Sequence, residues 1–189
     1  MMRFAIDNDG LFGLSYRADA DVGRETAPEI GSIGCLAKVN AVMPLDDGKM
    51  NLVCVGVVRY RVRQLKQLAP FMLASVELFK DDVELTDEVE DLFEEVKQLC
   101  MEFLKSAGIV DDSGTVLEKN LPDDAESFSL VLASLLPIET DLKQSLLEMT
   151  STRMRLTRLK GYVVAAISDY GKNKLIQERA KGNGKETLN

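Results

Sequence analysis

The sequence predicts an α+β protein in which a β-rich half, residues 1–83, precedes an all-helical half, residues 84–180. Three observations support this class. Apolar and polar residues alternate with a period of two from Ile33 to Phe79, a short polar break divides that stretch, and beyond Asp82 the apolar spacing changes to about 3.6. Segregated strands and helices of this kind are typical of α+β domains. Residues 181–189 are predicted to form a frayed tail.

The alternating stretch is predicted to be a long hairpin at the centre of the β half. Its break, Asp46–Lys49, contains Asp and Gly, which are typical of hairpin turns. Gly56 within the second strand indicates a bulge or a close backbone approach. A helix ending at Gly10, a short strand from Leu11 to Tyr16 and an extended segment from Phe71 to Phe79 complete the half.

The helical half is predicted to contain four helices. The first begins near Thr86 and has a single apolar stripe. The second follows Asp123 and Asp124, and the long last helix follows Ser151 or Thr152. On the last helix the predicted buried residues are Met154, Leu156, Leu159, Val163, Ala166, Ile167 and Tyr170.

Charge is distributed unevenly along the helical half. Residues 77–126 are strongly acidic, whereas the segment from residue 152 onward is basic. The two segments are expected to complement each other as neighbouring helices; alternatively, the basic last helix docks on an acidic partner.

The composition excludes several classes of function. The 189 residues are 46% hydrophobic with a mean hydropathy of -0.05, and neither a membrane span nor a signal peptide is evident. A net charge of -8 argues against phosphate-neutralising nucleic-acid binding. The absence of His removes Ser-His and Cys-His catalysis and His-containing zinc sites. The scattered cysteines suit a reducing cytoplasm, and Cys35 and Cys54 are expected to be buried.

No catalytic, metal or cofactor site is predicted. Paired carboxylates such as Asp81–Asp82 lie in polar segments and are expected to be solvated. Arg59, Arg61 and Arg63 lie on one phase of a strand, where they form either a wet face or an anion-binding row.

Five segments in order resemble the N-terminal, substrate-binding domain of Lon proteases. They match a strand, a turn, two further strands and a helix of that family, and the similarity extends over roughly residues 2–170. The segments are Gly31–Val39, Leu45–Gly48, Val55–Val62, Pro70–Glu77 and Lys143–Glu148.

The resemblance implies a PUA-like β pseudo-barrel followed by a helical bundle. It also implies a non-catalytic module that binds unfolded or degron-bearing polypeptide for an ATP-dependent protease or a chaperone, since this chain contains neither the ATPase nor the peptidase. The expected contact residues are Phe71, Met72, Leu73 and Phe79. PUA-like barrels also bind small ligands or RNA, which is the alternative function.

The family normally has an apolar strand ahead of the first helix, whereas this chain starts within that helix, at Met1–Phe4. The expectation is a shortened, stand-alone form whose barrel lacks a strand. Such a barrel would have an open edge that can pair with another chain, including a second copy.

Overall fold

The computed structural model describes residues 1–17, 27–84, 86–110 and 121–183, with side chains to residue 172 apart from residue 86. The chain divides into two units, Met1–Lys80 and Asp81–Asn189. An antiparallel sheet occupies the first unit and helices fill the second, which confirms the α+β class. The observed boundary lies shortly before the predicted one. The predicted tail falls outside the described residues except for its first three, which are helical.

The first unit is a four-stranded antiparallel sheet preceded by one short helix. Neighbouring strands follow chain order, so β1 and β4 form the two ends of the sheet among the described residues. The elements are α1 (Met2–Asp7), β1 (Leu11–Ser15), β2 (Ile33–Pro44), β3 (Met50–Gln67) and β4 (Leu73–Phe79).

The predicted central hairpin is confirmed as β2 and β3. Their pairing continues to Pro44 opposite Met50, and Gly48 in the turn has a φ of 77°, a conformation that glycine adopts without strain. The predicted bulge at Gly56 is also confirmed. Leu36 pairs with Val58 and the next residue of β2 pairs with Gly56, so one extra residue of β3 lies between these two pairs.

Two glycines make room for the ring of Tyr60 on one face of the sheet. A Cβ atom at Gly34, its partner on β2, would lie 2.5 Å from the Cζ of Tyr60. A Cβ at Gly13 on β1 would lie 2.8 Å from the Tyr60 hydroxyl oxygen. That hydroxyl lies 2.9 Å from the Oγ of Ser15 in a hydrogen bond, so the ring reaches across β2 to the edge strand. Tyr60 is consequently buried, with 4% of its surface exposed.

Among the described residues the second unit contains four helices, and two of them begin at predicted caps. Asp124 accepts a hydrogen bond from the backbone nitrogen of Ser127 at 2.8 Å, and the Ser151 hydroxyl accepts one from the nitrogen of Met154 at 3.0 Å. The helices are α2 (Thr86–Ser106), α3 (Ala125–Leu135), α4 (Thr140–Glu148) and α5 (Thr152–Asn183).

The core of this unit is formed by the apolar stripe of α2 together with buried side chains of α3, α4 and α5. The rings of Phe93 and Phe128 meet edge to face with centroids 5.1 Å apart. Fully buried side chains come from every helix. They include Val96, Cys100, Phe103, Leu104, Phe128, Leu132, Leu146, Leu156, Leu159 and Val163.

The predicted buried face of α5 requires two corrections. Tyr170 is 37% exposed, although its ring contacts that of Phe103 with centroids 5.9 Å apart. Met154 is 52% exposed, whereas its neighbour Arg155 is fully buried. The physical reason is position: Arg155 lies three residues after Thr152 and one before Leu156, within the series that faces the core, and Met154 lies outside that series.

Ion pairs between α2 and α5 confirm that the acidic and basic segments complement each other as neighbouring helices. Lys160 lies 2.5 Å from a carboxylate oxygen of Glu95, and Arg153 lies 3.7 Å from one of Glu88. These four side chains are partly or largely exposed, so each pair contributes little to stability.

Candidate functional site

An exposed apolar surface of the sheet unit lies along its last strand. Every residue of β4 is exposed except Phe79. The strand pairs with β3 on one side, and the described residues place no strand on the other. Leu73, Val76 and Leu78 are 44%, 43% and 60% exposed, which leaves an apolar edge strand open to solvent.

The four residues predicted to contact polypeptide do not form one patch. Met72 and Leu73 are exposed beside the turn between β3 and β4, and Phe71 is half-buried there. Phe79 lies at the other end of β4 and is buried. Its inclusion in the contact surface stays a prediction.

A residue that the sequence analysis did not select joins the group at the turn. The ring of Phe4 on α1 lies 5.1 Å from that of Phe71, between centroids, and Phe4 is 55% exposed. We call Phe4, Phe71, Met72 and Leu73 the turn cluster. A sequence signal was present, since Phe4 is an aromatic residue on a short helix. Its contact with Phe71, which is distant in the chain, could not be predicted from local patterns.

The three arginines of β3 engage groups within the sheet. The guanidinium carbons of Arg59 and Arg61 lie 4.8 and 5.1 Å from the ring centroid of Phe79, and Arg63 forms an ion pair with Glu77. The three arginines do not form a uniformly solvent-exposed face, because Arg59 is buried while Arg63 is exposed. Anion binding by these arginines stays a prediction.

The distal part of the hairpin has a second exposed apolar surface. Val53 and Val55 alternate along β3 with both side chains about half exposed, and Ala41 and Met43 of β2 lie on the same face. We call these four residues the hairpin patch. On the opposite phase, Cys54 is half-buried, as is Cys35 nearer the middle of the sheet, so the expected burial of these two cysteines is only partial.

The titration of Cys35 and Cys100 argues against their use as nucleophiles. Burial raises the pKa of Cys35, an effect that the nearby backbone of Val57 and the charge of Arg59 only partly oppose. Burial raises the pKa of Cys100 to about 11. Both thiols therefore remain protonated at neutral pH, whereas a reactive cysteine requires the thiolate.

The helical unit contains an open groove of about 700 Å³ with an acidic rim. Val89 and Phe93 form part of its floor, and Glu90, Glu94 and Asp123 are on the rim. A rim of this charge repels nucleic-acid phosphates. Among the described residues, no group of three or more Asp, Glu or Cys is arranged to hold a metal ion.

One carboxylate beside this groove departs from expectation. Asp81 was predicted to be solvated, yet its side chain is 5% exposed. It is withdrawn from water because it forms an ion pair with the buried Arg155 and accepts a hydrogen bond from Thr152.

Comparisons with solved structures agree with the observed fold. The N-terminal domain of a Mycobacterium avium complex Lon protease matches with a TM-score of 0.59 and 19% identity, over 82% of this chain and 89% of that one. A Lon N-terminal domain protein from Xanthomonas campestris matches with a TM-score of 0.54 and 21% identity, over 85% and 80% of the two chains. No helix in the described part of the chain is long and apolar enough to cross a membrane.

Sequence comparisons identify relatives that are much longer than this chain. Lon protease 2 of Myxococcus xanthus is 25% identical over 82% of this chain and 19% of its own length. Lon protease of Koribacter versatilis is 23% identical over 97% of this chain and 23% of its own length. The chain thus spans about a fifth of the relatives it matches. The family model of the substrate-binding domain of the ATP-dependent protease La (LON) matches residues 1–164, and the chain therefore belongs to this family.

Proposed function

We propose that this chain is a non-catalytic module that binds unfolded or degron-bearing polypeptide in connection with ATP-dependent proteolysis. Membership of the substrate-binding domain family supports a role in substrate recognition. The observation that carries the proposal is the turn cluster, which presents Met72 and Leu73 to solvent beside the ring pair of Phe4 and Phe71. Exposed apolar groups are what distinguishes an unfolded chain from a folded one, and an apolar surface with a flexible methionine accommodates many sequences.

The turn cluster is held by local contacts and is therefore present before polypeptide binds. The side-chain amide of Gln67 donates a hydrogen bond to the carbonyl oxygen of Phe71 at 3.1 Å, which fixes the start of the turn region. The ring of Phe71 in turn packs on Phe4. A preformed surface lowers the entropic cost of binding, so extended apolar segments are expected to bind with fast exchange and little sequence preference.

The module contributes recognition and requires partners for the rest. We propose that an ATP-dependent protease or a chaperone supplies the unfolding in the cytoplasm, because the family to which the chain belongs is the substrate-binding domain of such a protease. We also propose that the open edge of the sheet pairs with another chain, since β4 is exposed along its length.

The function is tested by titrating the chain with fluorescently labelled reduced casein and measuring anisotropy. Replacing Met72 by Ser removes an exposed apolar side chain from the turn cluster and is expected to weaken binding about fivefold, by the transfer free energy of a partly buried side chain. Met154→Ser is the matched control, because Met154 is similarly exposed on the helical unit.

Three results decide between the possibilities. Weaker binding by Met72→Ser with unchanged binding by Met154→Ser supports the turn cluster. Equal binding by both variants and the unmodified chain places recognition elsewhere. No binding of casein by the unmodified chain contradicts the proposed function itself.

A further inference from the structure

We propose that the exposed partner of β4 is β4 of a second copy of this chain, paired antiparallel about a twofold axis at Val76. The strand Leu73–Phe79 has a β-strand on one side and, among the described residues, none on the other. Its unpaired backbone groups are a template for a further strand. A symmetric pair uses the same surface twice, so the strand must be complementary to itself.

Strand β4 is complementary to itself on the face that carries Val76. In a pair centred on Val76, Val76 of one chain opposes Val76 of the other, and Ala74 of each opposes Leu78 of its partner. These three side chains occupy alternate positions of β4 and therefore share one face of the sheet. On that face Val76 pairs with Val62 of β3, and Leu78 pairs with Tyr60. All three are exposed in the single chain. The pairing would therefore form one continuous apolar stripe of cross-strand contacts.

The opposite face of the pair contains no charge conflict. Glu77 is the one ionisable residue in β4, and it would oppose Ser75 of the second chain. Its carboxylate already forms an ion pair with Arg63 of its own chain. Like charges directly opposite each other destabilise a strand pair, and here they do not occur. Nor does β4 contain the lysine or proline residues with which proteins commonly block an edge.

The other end of the sheet is a poorer template. β1 has five residues with Gly13 at its centre, so a symmetric pair of β1 strands would place two glycines at the axis. Glycine supplies no side chain for cross-strand packing and weakens a strand interior. The two ends of the sheet are thus unequal, and β4 is the one suited to self-association.

A contact of one seven-residue strand per chain is small compared with stable interfaces, which bury about 800 Å² per partner. The expected dimer is therefore weak, with a dissociation constant on the order of 10 µM. The inference specifies the edge pairing proposed above, and it is tested without polypeptide.

The test is sedimentation equilibrium of the full chain, without polypeptide, from about 1 to 300 µM, a range that brackets the expected dissociation constant. Val76→Lys places two like charges opposite each other at the axis and is expected to raise the dissociation constant at least tenfold. Val55→Lys is the matched control on the hairpin patch, with a similar exposed fraction and no place in the pair. Circular dichroism checks that both variants are folded.

A monomer at every concentration overturns the inference, as does a dimer that Val76→Lys leaves intact or that Val55→Lys dissociates equally. Because casein is absent, none of these results bears on polypeptide binding. A failed casein titration likewise leaves the dimer untouched.

The register is tested separately by disulfide formation. In a twofold pair, the Val76→Cys variant brings two Cβ atoms to about 5 Å, which is within reach of a disulfide after a small adjustment. Mild oxidation of the two thiols by added oxidised glutathione then forms the disulfide. Ser75→Cys is the control, because its own counterpart lies on the diagonal, about 7–8 Å away. Peptide mass mapping distinguishes a 76–76 link from links through the native cysteines. A dimer in which Ser75→Cys links as readily as Val76→Cys contradicts the proposed register.

Discussion

The guanidinium of Arg155 forms an ion pair with the carboxylate of Asp81 inside the helical unit, where the two side chains are 0% and 5% exposed. The remaining donors of the guanidinium are also used: its Nε donates to the Ser129 hydroxyl at 2.7 Å and its Nη1 to the Met149 carbonyl at 3.0 Å. Thr152 donates to Asp81 as well. A buried charge is tolerated because each polar atom has a partner, and loss of one member leaves the other uncompensated.

Replacing Asp81 by Ala is expected to lower the free energy of unfolding by about 3–5 kcal/mol, the usual cost of leaving a buried charge without its partner. Glu88→Ala removes the carboxylate from the exposed pair with Arg153 and should cost less than about 1 kcal/mol. Urea denaturation followed by circular dichroism measures both. If the two variants lose similar stability, the pair of Asp81 and Arg155 is not the buried network described.

Gly13 and Tyr60 provide a test of the packing on the sheet face. A methyl group at Gly13 would meet only atoms of the Tyr60 side chain within 3.3 Å, so Gly13→Ala is expected to destabilise by about 1–3 kcal/mol through overpacking. In the background of Tyr60→Ala the same change should cost almost nothing. A double-mutant cycle by thermal or urea unfolding measures this coupling.

Gly34 is the control for the same cycle. Its added Cβ would lie 2.5 Å from the backbone oxygen of Leu14 as well as from Tyr60, and backbone cannot move aside as a side chain can. Gly34→Ala should therefore remain costly with or without the tyrosine ring. A Gly34→Ala penalty that disappears on removal of Tyr60 would show that the ring alone requires both glycines.

Periodicity and turn chemistry predicted several local features of the described backbone. The hairpin of β2 and β3, the bulge beside Gly56 and the cap residues Asp124 and Ser151 all followed from local patterns, because each depends on residues close together in the chain. The family resemblance was confirmed over residues 1–164.

Burial of charged residues was the part that local patterns missed. Arg59 was placed on a strand face and Arg155 was absent from the predicted buried face of the last helix, yet both are buried, since what covers a face is decided by segments distant in sequence. The burial of Arg155 depends on Asp81, which is 74 positions away. Likewise the exposure of Val53 and Val55 contradicts the apolar composition of their strand, because a strand is buried only where another layer covers it. The position of Arg155 within the apolar series of α5 was the available signal.

Cys100 provides a pH test of the helical core. The thiol is fully buried, and burial raises its pKa from 9.0 to about 11, so the folded state favours the neutral form. Below pH 9 both folded and unfolded chains hold the proton, and the stabilising contribution is complete. Between pH 9 and 11 the unfolded chain releases the proton first, so the free energy of unfolding should fall, by at most about 1.4 kcal/mol per pH unit.

Cys100→Ala isolates this contribution from the tyrosines and lysines that titrate in the same range. The variant loses buried volume and should be less stable at pH 7, by about 1 kcal/mol or more. Its stability should then decline less steeply than that of the unmodified chain between pH 9 and 10.5, so that the two curves converge. Urea denaturation at half-unit pH intervals measures the difference. Parallel curves would show that the thiol titrates alike in the folded and unfolded chains, and hence that water reaches Cys100 in the core between α2 and α5.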